Sequence, residues 1–236
     1  MISEPKGGTN MKKSLLLIVA LILACIVAGC GDSVSKEKST SPAMKTVASE
    51  TKDTDGTKGS LGGKRILIAY FSRADENYRV GYIEKGNTRI LAEMLADMTG
   101  GDLFEIKTVK SYPKEYEPAI EEAKQEKESN QRPEIVGQLP NVQDYDLIFL
   151  GYPVWWGDLP MGVYTFLEKE DFSGKTIAPF CTHEGSGLAG TEGFVSDATK
   201  AKMLPGIAIE GTVAQNSHDE AKEYLTKWLQ KIEAKQ

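Results

Sequence analysis

The stretch Asp146-Leu147-Ile148-Phe149-Leu150-Gly151-Tyr152-Pro153-Val154-Trp155-Trp156-Gly157-Asp158 decides the fold. Its first half is an unbroken apolar run of strand length, the pattern of a strand covered on both faces rather than the alternation of a half-exposed one. Its second half sets two adjacent indoles at the carboxyl end of that strand. Successive side chains diverge, so the two Trp cannot bury together. One can pack down while the other is free to cover a flat ring, since aromatic faces favour planar ligands. The plainer alternative is a pair of packing anchors.

Outward from this strand, apolar runs alternate with amphipathic stretches. Toward the N-terminus, Arg65 to Phe71 is a second fully apolar run. Asn87-Thr88 then opens a helix in which Ile90, Leu91, Met94, Leu95 and Met98 recur at helical spacing, and Gly100-Gly101 stops it. Leu103 to Lys107 alternates like an edge strand, and Tyr112 to Gln131 reads as a polar helix beginning after Pro113. Toward the C-terminus the pattern predicts a short helix from Met161 to Leu167 and a buried strand from Thr176 to Cys181. Pro179 in that strand favours a less central place, because proline cannot donate to a ladder. A helix over Gly190 to Lys202, a short strand Ile207 to Ile209 and a terminal helix Asp219 to Ile232 complete the chain. Five strands alternating with helices predict an α/β fold: a doubly wound, five-stranded parallel sheet covered on both sides. In such sheets ligands sit beyond the carboxyl ends of the strands, where the winding reverses.

Three loops therefore hold the candidate chemistry. The first begins Ser72-Arg73 and ends Gly86-Asn87-Thr88 at a helix start, where hydroxyls and free N–H groups suit a phosphate and also suit plain capping. The second is Pro153 to Pro160, with Pro153, Val154, Trp155, Trp156 and Gly157 against a ring. The third is Thr182-His183-Glu184-Gly185-Ser186-Gly187, whose glycines permit close backbone approach to a ligand.

The segments Ile68-Ala69-Tyr70-Phe71-Ser72, Gly86-Asn87-Thr88, Gly151 to Trp156 and the Gly-rich third loop resemble the flavodoxins, and among them the flavodoxin-like proteins found as bacterial oxidoreductases. The resemblance covers Lys64 to Gln236. It implies the strand order 2-1-3-4-5 with FMN at the switch point. By position, Ser72, Asn87 and Thr88 would hold the FMN phosphate, with Arg73 a weaker candidate. Pro153, Val154, Trp155, Trp156 and Gly157 would line one side of the isoalloxazine. Thr182, His183, Glu184, Gly185, Ser186 and Gly187 would line the other. One departure stands out: Ala74 to Lys85 interrupts the compact phosphate loop. This insertion could cover the flavin, bind a partner or be a surface excursion.

Other patterns carry less. Gly185-Ser186-Gly187-Leu188-Ala189-Gly190 matches a dinucleotide fingerprint, but polar Thr182-His183-Glu184 separate it from the strand and too little chain follows Glu210 to complete a dinucleotide sheet. With 2 His and 3 Cys in the whole chain, metal ligands are scarce, and no metal is expected. Cys181 ends a buried strand, where a thiol is packing rather than a nucleophile. No GxSxG or phosphate-binding lysine loop is present. The net charge is −6 and no basic stripe runs through the folding part, which argues against nucleic acid as a partner.

The N-terminus reads as an address. Met11-Lys12-Lys13 is a basic start, and Leu15 to Ala28 follows without a charge, shorter than the roughly 20 residues of a spanning helix. The ending Val27-Ala28-Gly29-Cys30 resembles a bacterial lipobox, which implies lipidation of Cys30 and an exported lipoprotein on the outer face of the bacterial cell membrane. Residues 1–29 are thus expected to be the signal region with Met11 as its start, 30–63 a lipid-anchored flexible linker, and 64–236 the folded domain. The linker's polar composition cannot offset ordering entropy, and its coil dimension of roughly 30 Å would hold the domain clear of a bilayer. The expected function is an FMN-binding redox protein passing electrons or hydride to a partner protein or a small acceptor. The alternatives are an NAD(P)H-dependent quinone, nitro or flavin reductase, and a flavin-free binding module of the same fold.

Overall fold

The computed structural model describes residues 61–235. The signal region, Cys30 and the linker up to residue 60 lie outside the described residues. Three expected linker residues are described, and one corrects the boundary: Leu61 is 5% exposed and packs in the core with Ile66 and Ile68. Its isobutyl group belongs to the domain, which therefore starts before Lys64.

The main sheet is built from β1 (Ile66–Tyr70), β4 (Asp102–Glu105), β5 (Leu147–Pro153), β6 (Thr176–His183), β7 (Lys202–Met203) and β8 (Ile207–Glu210), all parallel. The order is β4-β1-β5-β6-β7, with β8 also on β6. Counted as one broken edge strand, β7 and β8 make this the order 2-1-3-4-5 of a doubly wound sheet. The winding reverses between β1 and β5. A separate antiparallel hairpin, β2 (Asp75–Asn77) and β3 (Gly81–Ile83), is folded by the insertion.

Alternate residues of β1 divide between two cores, as a pleated strand covered on both faces requires. Ile66, Ile68 and Tyr70 pack with Leu91 and Leu95 of α1 (Asn87–Thr99) and with Leu225, Trp228 and Ile232 of α6 (His218–Glu233). Leu67, Ala69 and Phe71 join Val163 and Phe166 of α3 (Met161–Lys169) and Val195 of α4 (Thr191–Thr199) on the other face. A short α5 (Gly211–Asn216) precedes α6, and α2 (Tyr116–Glu128) carries Pro118 in its first turn, where a missing N–H breaks no helical bond. The polar stretch therefore becomes helical at Tyr116, three residues after Pro113.

The expectation for Pro179 needs correction. Its strand β6 lies inside the sheet, with β5 on one side and β7 and β8 on the other. The Ile177 carbonyl accepts from Leu204 N at 2.8 Å, so residue 179, two further on, turns its peptide toward the same side. Pairing with β7 ends at Ile177 and pairing with β8 begins at Phe180. The missing donor falls in that gap, and the proline costs no ladder bond.

Candidate functional site

The carboxyl ends of β1, β5 and β6 meet at the switch point and surround a cavity of about 330 Å³. Its walls can be built loop by loop.

At the first loop, Gly86 is the N-cap of α1 and offers no side-chain cap. A Cβ at Gly86 would collide with Ser72 Oγ and stand 2.5 Å from the Arg73 carbonyl oxygen, so only glycine fits. Ser72 Oγ instead accepts from Arg89 N at 3.0 Å. The N–H groups of Asn87 and Thr88 have no intrahelical acceptor, and no acidic side chain stands in the first turn. The helix end is thus open to an anion. The Thr88 hydroxyl is already engaged: it lies 2.8 Å from Thr182 Oγ1, both buried, and ties the first loop to the third. What Thr88 can offer a phosphate is its backbone N–H.

Arg73 lines the cavity, yet its guanidinium is spent on the chain itself. It donates to the carbonyls of Glu76 (2.5 Å), Pro113 (2.6 Å) and Lys114 (2.8 Å), stapling the hairpin to the entry of α2. Burial pulls its pKa down while Asp75 and Glu76 hold it up. This staple, rather than a phosphate contact, is its role in the described structure.

At the second loop the two indoles separate as expected. Trp155 packs down in edge-on contact with Phe71 at 5.3 Å and Tyr112 at 5.1 Å. Trp156 stays 50% exposed. Trp155 and Asp158 exchange two backbone bonds of 3.0 Å, closing a two-residue turn in which Trp156 and Gly157 both have positive φ, 53° and 71°. A bulky residue in that region is strained, by about 1–2 kcal/mol. The strain is held by contacts: Trp156 Nε1 donates to the Ile120 carbonyl at 2.9 Å and Lys127 Nζ donates to the Trp156 carbonyl at 2.7 Å. Asp158 supports the turn from beneath, accepting from Tyr164 Oη at 2.8 Å and pairing with Lys127 at 3.3 Å.

At the third loop, His183 Nδ1 accepts from Gly185 N at 2.9 Å, which leaves the ring proton on Nε2 in the neutral form. Burial holds this imidazole below its ordinary pKa, against the pull of Glu210. Glu184 Oε1 accepts from Thr212 N at 3.0 Å, and burial pushes its carboxyl upward despite that bond and Arg79 nearby. Cys181 is buried, its thiol pushed up to about 12 by desolvation.

Among the predicted site residues, Arg73, Asn87, the whole run Pro153 to Gly157, and Thr182, His183, Glu184 and Ser186 line the cavity. Ser72, Thr88, Gly185 and Gly187 do not; they shape the loops that do. Sequence reasoning missed Asn77, Tyr78, Tyr116, Ala119, Ile120 and Ala123, which the hairpin and α2 bring to the same cavity. The methyls of Ala119 and Ala123, four apart in a polar helix, were the available signal.

Among the described residues, three buried side-chain polar atoms lack a hydrogen-bond partner: Arg73 Nε, Asn87 Oδ1 and Glu184 Oε2. All three residues line this one cavity. Buried polar groups are nearly always paired, so their gathering here marks a place built for a polar ligand. Among the described residues no group of three His, Cys, Asp or Glu side chains could hold a metal ion.

The comparisons agree with the geometry. The chain is similar to the crystal structures of two proposed flavoproteins, from Bacteroides eggerthii and Bacteroides uniformis. Each is 25% identical with a TM-score of 0.55, covering 70% of this chain and 98% and 99% of theirs. A flavoprotein from Lactobacillus acidophilus, solved in complex with FMN, shares the fold at 20% identity and a TM-score of 0.50, covering 70% of this chain and 99% of its own. Among curated proteins no relative matches. The family model for flavodoxin matches residues 65–232, and the chain belongs to the flavodoxin family.

Proposed function

We propose that this protein binds one FMN at the switch point and passes electrons or hydride to a redox partner or a small acceptor. The observation that carries the reading is the convergence, on one cavity, of a helix N-terminus whose first two N–H groups have no intrahelical acceptor, an exposed indole, and three residues that each hold a buried polar atom without a hydrogen bond. Membership of the flavodoxin family supports the same cofactor. The residues fit the group. The N–H groups of Asn87 and Thr88 and the Ser72 hydroxyl would hold the phosphate, and Gly86 lets the Ser72-Arg73 backbone approach the helix end closely. Trp156 would face the ring, and the backbone of Glu184 to Gly187 would bond its polar edge. FMN, when bound, supplies the redox chemistry, and the protein supplies placement and electrostatics. His183 keeps an Nε2 proton beside the ring site, and Trp155 closes the floor against water.

We further propose that the protein works outside the cytoplasm as a lipoprotein held to the outer face of the membrane through Cys30. The support is the order of basic start, apolar run and Val27-Ala28-Gly29-Cys30.

Stopped-flow mixing of the FMN-loaded protein with NADPH tests the mode of action. No bleaching within minutes, with rapid reduction by a reduced protein donor, is the result expected of a carrier. Bleaching on the turnover timescale would replace that reading with an NAD(P)H-dependent reductase.

A further inference from the structure

The inserted hairpin joins two walls of the cavity. On one side Glu76 N donates to the Lys114 carbonyl at 3.0 Å, Glu76 Oε2 accepts from Tyr116 N at 2.9 Å, and Tyr78 stacks on Tyr116. On the other side the tip meets the third loop through Arg79 Nη1 and Glu184 Oε2, 3.7 Å apart. Both ends of the insertion are tied to the domain. Arg73 donates to the carbonyls of Pro113 and Lys114, and the Lys85 carbonyl accepts from Gln215 Nε2 of α5 at 2.6 Å. Between these ties, residues 75–82 hold no buried side chain. A two-stranded ribbon without an apolar face is marginal in water. Segments with few buried apolar contacts open at a fraction of the cost of global unfolding. The tip can therefore lift while the ends stay fixed.

The contact that holds the tip down has a titratable partner. Glu184 faces Arg79 from the hairpin, the Thr212 N–H from α5 and Glu210 from β8. Asn87 of α1 crowds it at Gly211, and His183 precedes it with Nδ1 taken by Gly185 N. Burial pushes the Glu184 carboxyl up, Thr212 and Arg79 oppose that push, and Glu210 adds to it. On protonation Oε1 can keep the Thr212 bond, while Oε2 loses the charge that attracts Arg79. The Arg79 side chain is 54% exposed, so the freed guanidinium passes into water, and no unpaired buried charge is left behind.

We infer that the hairpin is a strap over the switch-point cavity, latched by Arg79 and Glu184 at neutral pH and released in acid when Glu184 takes up a proton; only the identity of the guest, FMN, rests on the proposed function. The insertion Ala74 to Lys85 is thereby given a purpose: it interrupts the phosphate loop to carry a cover that opens for the cofactor to enter or leave.

Hydrogen–deuterium exchange of the full chain, without and with FMN, tests this at pH 4.5, the ordinary glutamate value, and at neutral pH, each amide corrected for its intrinsic rate. Glu184→Gln keeps an acceptor for Thr212 N and removes the charge. Arg79→Ala, at an exposed side chain, removes the same attraction without touching the buried loop. Without FMN, protection over residues 75–83 of the wild type should fall about two- to fivefold from neutral pH to acid, the worth of an exposed ion pair. In both variants it should sit at the acid value throughout, while β1 stays equally protected in all three chains. Hairpin protection that ignores pH in the wild type, or that still follows pH in Glu184→Gln, overturns the inference. So does an FMN release rate at neutral pH that neither substitution changes, which would make the hairpin a fixed wall. A hairpin that follows pH in a chain that takes up no FMN keeps the strap and defeats the flavin reading.

Discussion

Arg79 Nη1, at the turn of the hairpin, lies 3.7 Å from Glu184 Oε2 on the third loop. The pair joins the inserted segment to the loop that closes the other side of the cavity. Glu184 Oε2 is one of the three buried atoms there without a hydrogen bond, and Arg79 is the cation that tempers its charge. Because Arg79 is more than half exposed, the pair contributes about 0–1 kcal/mol to global stability. Its effect is expected to be local. Arg79→Ala should leave the melting temperature within a few degrees and speed FMN release about two- to tenfold, read from fluorescence recovery on dilution. Raised salt should speed release from the wild type and leave the variant unmoved.

The two tryptophans should separate in mutagenesis as they do in space. Trp155 is wedged among Phe71 and Tyr112, and Trp155→Ala should destabilise the fold by about 2–4 kcal/mol through the lost contacts and the cavity left behind. Trp156→Gly removes a half-exposed ring and relieves a left-handed backbone, so stability should hold or rise slightly. FMN affinity should instead fall by about 1–3 kcal/mol, the range for stacking of an aromatic side chain on a planar base. Chemical denaturation and FMN titration of both variants check this; a Trp156 variant with wild-type affinity removes the indole from the ring site.

Much of this was legible before any coordinates. The uninterrupted apolar runs around Ile68 and Phe149 could serve only as strands covered on both faces, and that fixed the alternation of layers. The divergence of Trp155 and Trp156 follows from strand geometry alone, so one indole packed down and one left exposed could be read from the sequence. Three features could not. Strands of three residues, as in Asp75–Asn77, are too short for a period to register, so the insertion showed no hairpin and its role stayed open between a flavin cover, a partner site and a surface excursion. Arg73 has the charge to meet a phosphate, but two of the carbonyls that take up its guanidinium, those of Pro113 and Lys114, come from 40 and 41 positions away. Leu61 looked like linker because a single apolar residue between polar neighbours and glycines carries no period.

Stability should also depend on pH through the wall behind Trp155. Tyr112 Oη donates to Glu126 Oε2 at 2.6 Å, and Glu126 is 8% exposed. Burial raises this carboxyl above the ordinary glutamate value of 4.5, reinforced by Glu122 and opposed by the Tyr112 bond and Lys110. The folded state then holds the Glu126 proton more tightly than the unfolded state. Stability accordingly falls as pH rises through the window that opens near 4.5 and closes at the raised folded value. Glu184, also raised, acts in the same direction. Glu126→Gln keeps an acceptor for Tyr112 and deletes the titration, so the loss of melting temperature as pH rises above 4.5 should be smaller in the variant than in the wild type. Equal losses in the two would place the titration elsewhere.

At the N-terminus, the proposed lipid anchor on Cys30 predicts that Cys30→Ser moves the protein from the membrane to the soluble fraction. Fractionation of cells expressing each form decides between them. A variant that stays with the membrane would mean that the apolar run Leu15 to Ala28 remains attached as a helix.

The central claim is that the switch-point cavity takes FMN by its phosphate as well as by its ring, and the quenching of flavin fluorescence on titration with protein tests it most directly. The account expects one FMN per chain, binding at least about tenfold tighter than riboflavin, and competition by inorganic phosphate for the FMN titration alone. No quenching by the purified chain, or equal affinity for FMN and riboflavin, would contradict it.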